Sequence, residues 1–282
     1  MMSTPSLPAE RSDDPAVRDG QPVIEFDHVA LGFDQPVLED ISFKLPSGET
    51  KILMGVAGTG KTLTLKLALG LLKPDSGRIE VLGEEVSSMR EQDLFSLRRQ
   101  IGMVFQESAL FDSLTVEENV AYRLIEETGH VTDEIHARVL EALRFVELEH
   151  TVRLFPAELS GGMRRRVAIA RAIITQPKVL LYDSPTGGLD PVTSDRIIEL
   201  IVKQRDVYQT SSLMVTHRLQ DAFTMASHYF DREQNKMVPV ADGATRDVHT
   251  KFLMYRDGKV IFEGTATELL QDNDDYVREY LS

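Results

Sequence analysis

The sequence predicts an α/β protein built on a largely parallel sheet with crossover helices. Three observations carry that expectation. Apolar runs alternate with helical patterns along most of the 282 residues. Two of those runs, KILM at 51–54 and VLLYD at 179–183, are apolar almost without interruption, as strands buried on both faces are. Each passes directly into a glycine-bearing turn rather than into a polar loop.

The elements follow in order. Residues 1–20 are polar and proline-bearing and read as a disordered leader with no secretory h-region. PVIEFDHVALGF (22–33) and VLEDISFKL (37–45) read as strands, a Pro-Ser-Gly turn follows, and ETKILMG (49–55) is a third strand. KTLTLKLALGLL (61–72) has helical spacing and is closed by KPDSG, after which RIEVLGEEV (78–86) returns as a hairpin. Between 90 and 150 the pattern turns helical in DLFSLRRQIG, VEENVAYRLI and EIHARVLEALRFV. A further helix spans 161–175, and VLLYD, SSLMVTH and KFLMYRDGKVIFEG are strands. Residues 230–250 lack periodicity and read as an exposed insertion, and residues 271–282 as a C-terminal tail.

Composition narrows the function. Hydrophobic residues make up 42% and charged residues 27%, ordinary for a globular chain. No apolar run approaches the roughly 18 residues of a membrane span, so membrane association is expected through a protein partner. With no cysteine there is no disulfide or thiolate chemistry. A net charge of −14 argues against nucleic acid as the main partner. The one basic cluster, Arg164-Arg165-Arg166, reads as the solvated start of a helix.

Residues 55–62, Gly55-Val56-Ala57-Gly58-Thr59-Gly60-Lys61-Thr62, match G-x-x-x-x-G-K-[ST] and are followed by Leu63 in the helix. Glycines let backbone N–H groups converge on phosphate oxygens at the positive end of the helix. Lys61 then suits the β- and γ-phosphates, and the Thr62 hydroxyl suits Mg²⁺. Asp183, at the tip of the second apolar strand, is the natural second anchor for that ion.

Further stretches identify the kind of phosphate-loop protein. ELSGGMRRRVAIARAI (158–173) resembles the signature of ABC-type ATPases, with Ser160-Gly161-Gly162 opening a helix. MVFQESALF (103–111) resembles their Q-loop and implies that Gln106 contacts metal and water. MVTH (214–217) places His217 at the switch histidine, and GGLDP (187–191) resembles the D-loop. The resemblance covers about residues 22–270. It implies a RecA-like phosphate-loop core in a 21–270 ATPase domain, with an antiparallel β subdomain and a helical subdomain at about 90–160. It also implies ATP and Mg²⁺ as cofactors and a homodimer in which Ser160, Gly161 and Gly162 face the partner's γ-phosphate. Phe33 matches the adenine-stacking aromatic, against the alternative of a core strand aromatic. LSGGMRRR, with Met163, and the FEGTATELL…DDYVREYLS ending resemble the Mce/Mla-type lipid-transporter ATPases. That implies an integral permease held through residues 107–122, a lipid-binding partner, and a cytoplasmic place on the inner face of the membrane. A polar-solute importer is the alternative within the family.

One position departs from the pattern. The family has Asp-Glu where this chain has Asp183-Ser184. Serine takes no proton at neutral pH, and losing a general base costs on the order of 10²–10⁴ in rate. Three readings stand: hydrolysis with Ser184 and His217 positioning water and the phosphate acting as its own base, an ATP-binding dimerising switch with catalysis supplied by a second, intact subunit, or an engineered replacement trapping the ATP-bound state. The intact remaining motifs favour a working but slow ATPase.

Overall fold

The computed structural model describes residues 21–241 and 248–282. The expected leader lies outside the described residues, as does the 242–247 portion of the expected insertion.

Four parallel strands form the centre: β3 (Thr50–Met54), β6 (Ile101–Val104), β7 (Val179–Asp183) and β8 (Ser211–Val215), ordered β3-β8-β7-β6. Every residue of these strands is buried. Alternation within β7 shows why the run is continuously apolar: Leu180 and Tyr182 join the core on one face, Val179 and Leu181 the core on the other. Beyond β3 lie β11 (Thr250–Arg256), parallel to it, and β12 (Lys259–Gly264), antiparallel to β11. Through the Lys259–Asp40 pair the sheet continues into an antiparallel portion. That portion comprises β1 (Ile24–Gly32), β2 (Pro36–Leu45), β4 (Ser76–Val81) and β5 (Glu84–Glu85).

The helices are α1 (Lys61–Ala68), α2 (Glu91–Arg98), α3 (Val116–Thr128), α4 (Asp133–Phe145), α5 (Gly161–Ile173), α6 (Pro191–Tyr208), α7 (Leu219–Ser227), α8 (Ala266–Gln271) and α9 (Asp275–Leu281). Thr115 caps α3 in a reciprocal capping box with Glu118.

Several segments differ from expectation. The helical spacing read through DLFSLRRQIG ends at Arg98, and Ile101 and Gly102 begin β6 instead. A Cβ at Gly102 would lie 2.5 Å from the Ala172 carbonyl, so the close approach of α5 over this short strand requires glycine. No helix was expected at α6, although Asp190 caps it and Pro191 stands at its first turn. The expected insertion contains a hairpin, β9 (His228–Asp231) with β10 (Lys236–Pro239), seated on α6. There the Phe230 N–H donates to Asp206 (2.7 Å) and the Met237 N–H to Glu199 (3.3 Å). The expected tail contains α9, whose Val277 is buried.

Candidate nucleotide site

The carboxyl ends of β3, β8, β7 and β6 open on one edge of the sheet, delivering the 55–60 loop, His217, Asp183-Ser184 and Gln106 side by side. Open α/β sheets place ligands at such an edge.

The loop turns on positive φ at Gly55, Gly58 and Gly60, the last acting as N-cap of α1. A side chain at Gly60 would collide with Leu38 of β2, and one at Gly55 with the Tyr255 carbonyl of β11. Val56, Ala57 and Gly58 form an exposed rim, while Lys61 is buried beneath them. The Lys61 ammonium donates to the carbonyls of Gly55 (2.9 Å) and Val56 (2.7 Å) and to Thr59 Oγ1 (3.1 Å). Burial pushes Lys61 down to about 8, with Asp183 opposing the shift. Leu63 follows Thr62 in α1, half-buried.

Thr62 Oγ1 donates to Asp183 Oδ1 across 3.0 Å, although the two residues lie 121 positions apart. Burial raises the Asp183 carboxyl, and the Thr62 hydrogen bond, Lys66, His217 and Lys61 pull it back. A hydroxyl and a carboxylate oxygen this close are a hard-donor pair of the kind Mg²⁺ takes when phosphates supply other ligands. Among the described residues no cluster of three or more His, Cys, Asp or Glu side chains has metal-holding geometry.

Ser184 is buried and adopts φ 47°, a left-handed conformation that is sparsely populated for serine. Its N–H donates to Val215 O (2.9 Å) and its carbonyl accepts from Gly187 N–H (2.9 Å). Gln106 and His217 are exposed. Partial desolvation of the ring, then Lys61, lowers the His217 pKa against Asp183, which favours the neutral imidazole with one N–H and one lone pair.

Ser160 caps α5 through its hydroxyl, which accepts from Met163 N–H (3.2 Å), and Gly161 stands exposed at the same turn. Among the described residues, no hydrogen bond joins Ser160, Gly161 or Gly162 to the 55–62 loop. Phe33 is 66% exposed at the bend between β1 and β2, so the core-aromatic alternative does not hold.

The basic cluster requires a correction. Arg165 is not solvated: it is 4% exposed and donates to the carbonyls of Ser184 (3.0 Å), Gln106 and Gly187. Its position, three and four residues before buried Ala168 and Ile169, places it on the buried stripe of α5, a helical-register signal present in the sequence. Two further neighbours lacked any local signal. Thr186 bonds to buried Asp221 on α7. The Tyr276 hydroxyl of α9 donates to Tyr255 O (3.2 Å) and accepts from the Val56 N–H (3.3 Å) of the phosphate loop.

The sequence model of the family described as ABC transporter matches residues 38–187 of this chain, from β2 to the D-loop. The chain belongs to the ABC transporter family of ATPases. This ABC cassette is 32% identical over 245 residues to the intermembrane phospholipid transport system ATP-binding protein MlaF of Escherichia coli K12, covering 87% of this chain and 82% of MlaF. It is 37% identical to the probable ribonucleotide transport ATP-binding protein mkl of Mycobacterium leprae, over 67% of this chain and 54% of that protein. It is 43% identical to the methionine import ATP-binding protein MetN 1 of Rhodopseudomonas palustris, over 75% and 56%. The aligned region thus spans about half the length of the latter two relatives.

Among solved structures, the dimeric bacterial ABC transporter cassette MJ0796 matches with a TM-score of 0.72 and 29% identity, over 86% of this chain and 98% of that one. A post-hydrolysis state of MJ0796 bound to ADP and Pi matches with a TM-score of 0.70 and 28% identity, over the same shares. The described helices include none long and apolar enough to cross a membrane.

Proposed function

We propose that this chain is the ATP-binding and hydrolysing subunit of an ABC transporter that moves phospholipid or another lipid. The observation carrying the nucleotide reading is the Thr62–Asp183 contact of 3.0 Å beside the buried Lys61. In this reading the N–H groups of residues 57–62 and the Lys61 ammonium bind the β- and γ-phosphates, and Phe33 stacks on adenine. Thr62, Asp183 and Gln106 would hold Mg²⁺, which would supply charge neutralisation on the phosphates. Ser160, Gly161 and Gly162 close on the γ-phosphate held by a second copy, so the working unit is a homodimer.

Catalysis then rests on positioning. Neutral His217 donates a hydrogen bond toward the γ-phosphate, the Gln106 side chain and Ser184 orient water, and the attacking water's proton passes to an oxygen of the γ-phosphate, since Ser184 takes none. Phosphoryl transfer depends mainly on positioning and charge stabilisation, so slow turnover is consistent with this set. Ser184 also supports a second reading, a clamp that binds ATP and dimerises without hydrolysing.

The lipid assignment draws on extent rather than identity. MetN 1 is the more identical relative, but the MlaF match runs through most of both chains. Exposed Phe105, Phe111 and Tyr122, the last two stacked at 4.6 Å, supply an apolar face where an integral permease would seat a cytoplasmic helix. The chain would then sit on the cytoplasmic face of the membrane through that permease, with a lipid-binding protein as a further partner.

Single-turnover ATP hydrolysis, with and without Mg²⁺ and with Lys61→Ala as control, tests the enzyme reading. Phosphate release that requires both Lys61 and Mg²⁺ is expected. Tight ATP binding with no release would establish the clamp instead. Reconstitution with the permease in vesicles of labelled phospholipid tests the cargo, and ATP-dependent movement of methionine but not lipid would overturn it.

A further inference from the structure

Arg165 carries a buried charge with its Nε lacking a hydrogen-bond partner among the described residues, an arrangement that costs free energy unless the rest of the guanidinium is well used. It is well used. One nitrogen donates to Ser184 O (3.0 Å); the other donates to Gln106 O and more distantly to Gly187 O (3.5 Å). Those three carbonyls belong to two loops: Gln106 to the one after β6, and Ser184 and Gly187 to the one after β7, which runs on through the D-loop. A planar guanidinium fixes its acceptors in one geometry, which a flexible ammonium does not. Arg165 itself rides on the second turn of α5, the helix that Ser160 caps and Gly161 and Gly162 open.

A second contact joins the same elements. Gly162 lies so close to Thr193 of α6 that a side chain there would collide with it, and a Cβ at Gly161 would touch Leu189 at 3.7 Å. The start of α5 is therefore packed against the far end of the D-loop while Arg165 holds its near end. Gly187 also faces the site, since a Cβ on it would lie 3.6 Å from Ser184 Cβ and 3.7 Å from Gln106 Cγ.

We infer that Arg165 is a positioning residue that couples this chain's own hydrolytic loops to its signature turn. The inference rests on the proposed reading of a dimeric ATPase, in which the signature turn of one protomer engages the nucleotide held by its partner. When that turn is drawn onto the partner's phosphate, α5 carries Arg165 with it, and Arg165 moves the carbonyls of Gln106, Ser184 and Gly187. Closure at one site is thereby reported to the other, and by linkage the effect runs in both directions. In a chain without a carboxylate at 184, the alignment of Gln106 and Ser184 has more of the chemistry resting on it, so losing it is felt in turnover.

The test uses the full chain and three measurements: ATP affinity by equilibrium titration, ATP-driven dimerisation by light scattering, and hydrolysis rate against ATP concentration. For Arg165→Gln we expect wild-type ATP affinity, because the phosphate loop is untouched. Turnover should fall by about tenfold or more, as misplacement of reacting groups does. The Hill coefficient should fall from its wild-type value toward one, the limit for uncoupled sites. Arg165→Lys, reaching fewer carbonyls, should recover part of the rate. Gly187→Ala crowds the same junction with the guanidinium intact and should reproduce the loss of turnover and cooperativity, which decides the matter if Arg165→Gln does not fold. Unchanged turnover and cooperativity in a folded Arg165→Gln, or in Gly187→Ala, overturns the inference. A wild-type chain that neither dimerises with ATP nor hydrolyses it overturns the dimeric-ATPase reading itself, a result visible before any variant is made.

Discussion

Replacing Ser184 with glutamate asks directly what the site lacks. A general base contributes about 10²–10⁴ in rate, equivalent to about 3–5 kcal/mol of barrier at 1.36 kcal/mol per tenfold. The position is prepared for it. Ser184 already adopts φ 47°, so the backbone strain is present in both proteins and cancels in the comparison. The Ser184 Cβ lies 3.6 Å from where a Cβ on Gly187 would stand, and Gln106 Cγ lies 3.7 Å from that same point.

The environment also limits the gain. Burial alone raises the neighbouring Asp183 carboxyl, and a second carboxylate beside it would be raised further by burial and like charge. Both effects favour the protonated form of the new glutamate, and raising the pH opposes them. We therefore expect Ser184→Glu to hydrolyse about 10²-fold faster than the Ser184 chain at pH 7, with the advantage growing as pH rises. Single-turnover phosphate release from pH 6 to 9, with ATP affinity measured in parallel, reads this out. A folded Ser184→Glu that binds ATP normally and gains nothing at any pH would refute the reasoning, and would mean that residue 184 is not beside the attacking water.

Lys61 sets a pH dependence. Burial pushes it from its ordinary 10.5 to about 8, so between those values the unfolded chain holds a proton that the folded chain has released. Its contribution to stability is flat below about pH 8 and increases from there toward 10.5, whereas ATP affinity, which needs the cation, should weaken above about pH 8. Titrations from pH 6.5 to 9.5 should show that decline, and Lys61→Arg should flatten it. Tyr276→Phe removes the hydroxyl between the Val56 N–H and Tyr255 O, a loss of about 0.5–1 kcal/mol, and should weaken ATP binding about two- to fivefold; an unchanged Kd would show that α9 does not support the loop. Leu181→Ala, at a fully buried position of β7, should cost about 2–5 kcal/mol in denaturant unfolding, and a cost under about 1 kcal/mol would contradict the packing of β7 between two cores.

Much of this protein was legible because its information is local. Strand, glycine turn and helix lie within residues 50–68, so the phosphate loop could be read from neighbours in sequence, and the apolar run ending in Asp183 marked a second strand tip without reference to anything distant. Phe33 and Arg165 show where local reading ends. Phe33 was open to a core or an exposed interpretation, Arg165 was read as solvated although its register with Ala168 and Ile169 pointed inward, and burial is a property of the whole fold. Phe33 proved exposed and Arg165 enclosed. The first two residues of β6, Ile101 and Gly102, were absorbed into a helical pattern because so short a strand, covered on both sides, has no period of its own.

By itself, then, the sequence determined the chemical inventory: a loop able to cradle phosphate, a hydroxyl and a carboxylate for a metal ion, and a serine where proton transfer calls for a carboxylate. Only the tertiary structure decided which of these meet. Thr62 reaches Asp183 across 121 residues, Arg165 reaches Gln106 across 59, and Tyr276 reaches Val56 across 220. The reason is physical: such contacts follow from the order β3-β8-β7-β6 and from the face each helix buries, and those are settled when the strands pair and the core closes.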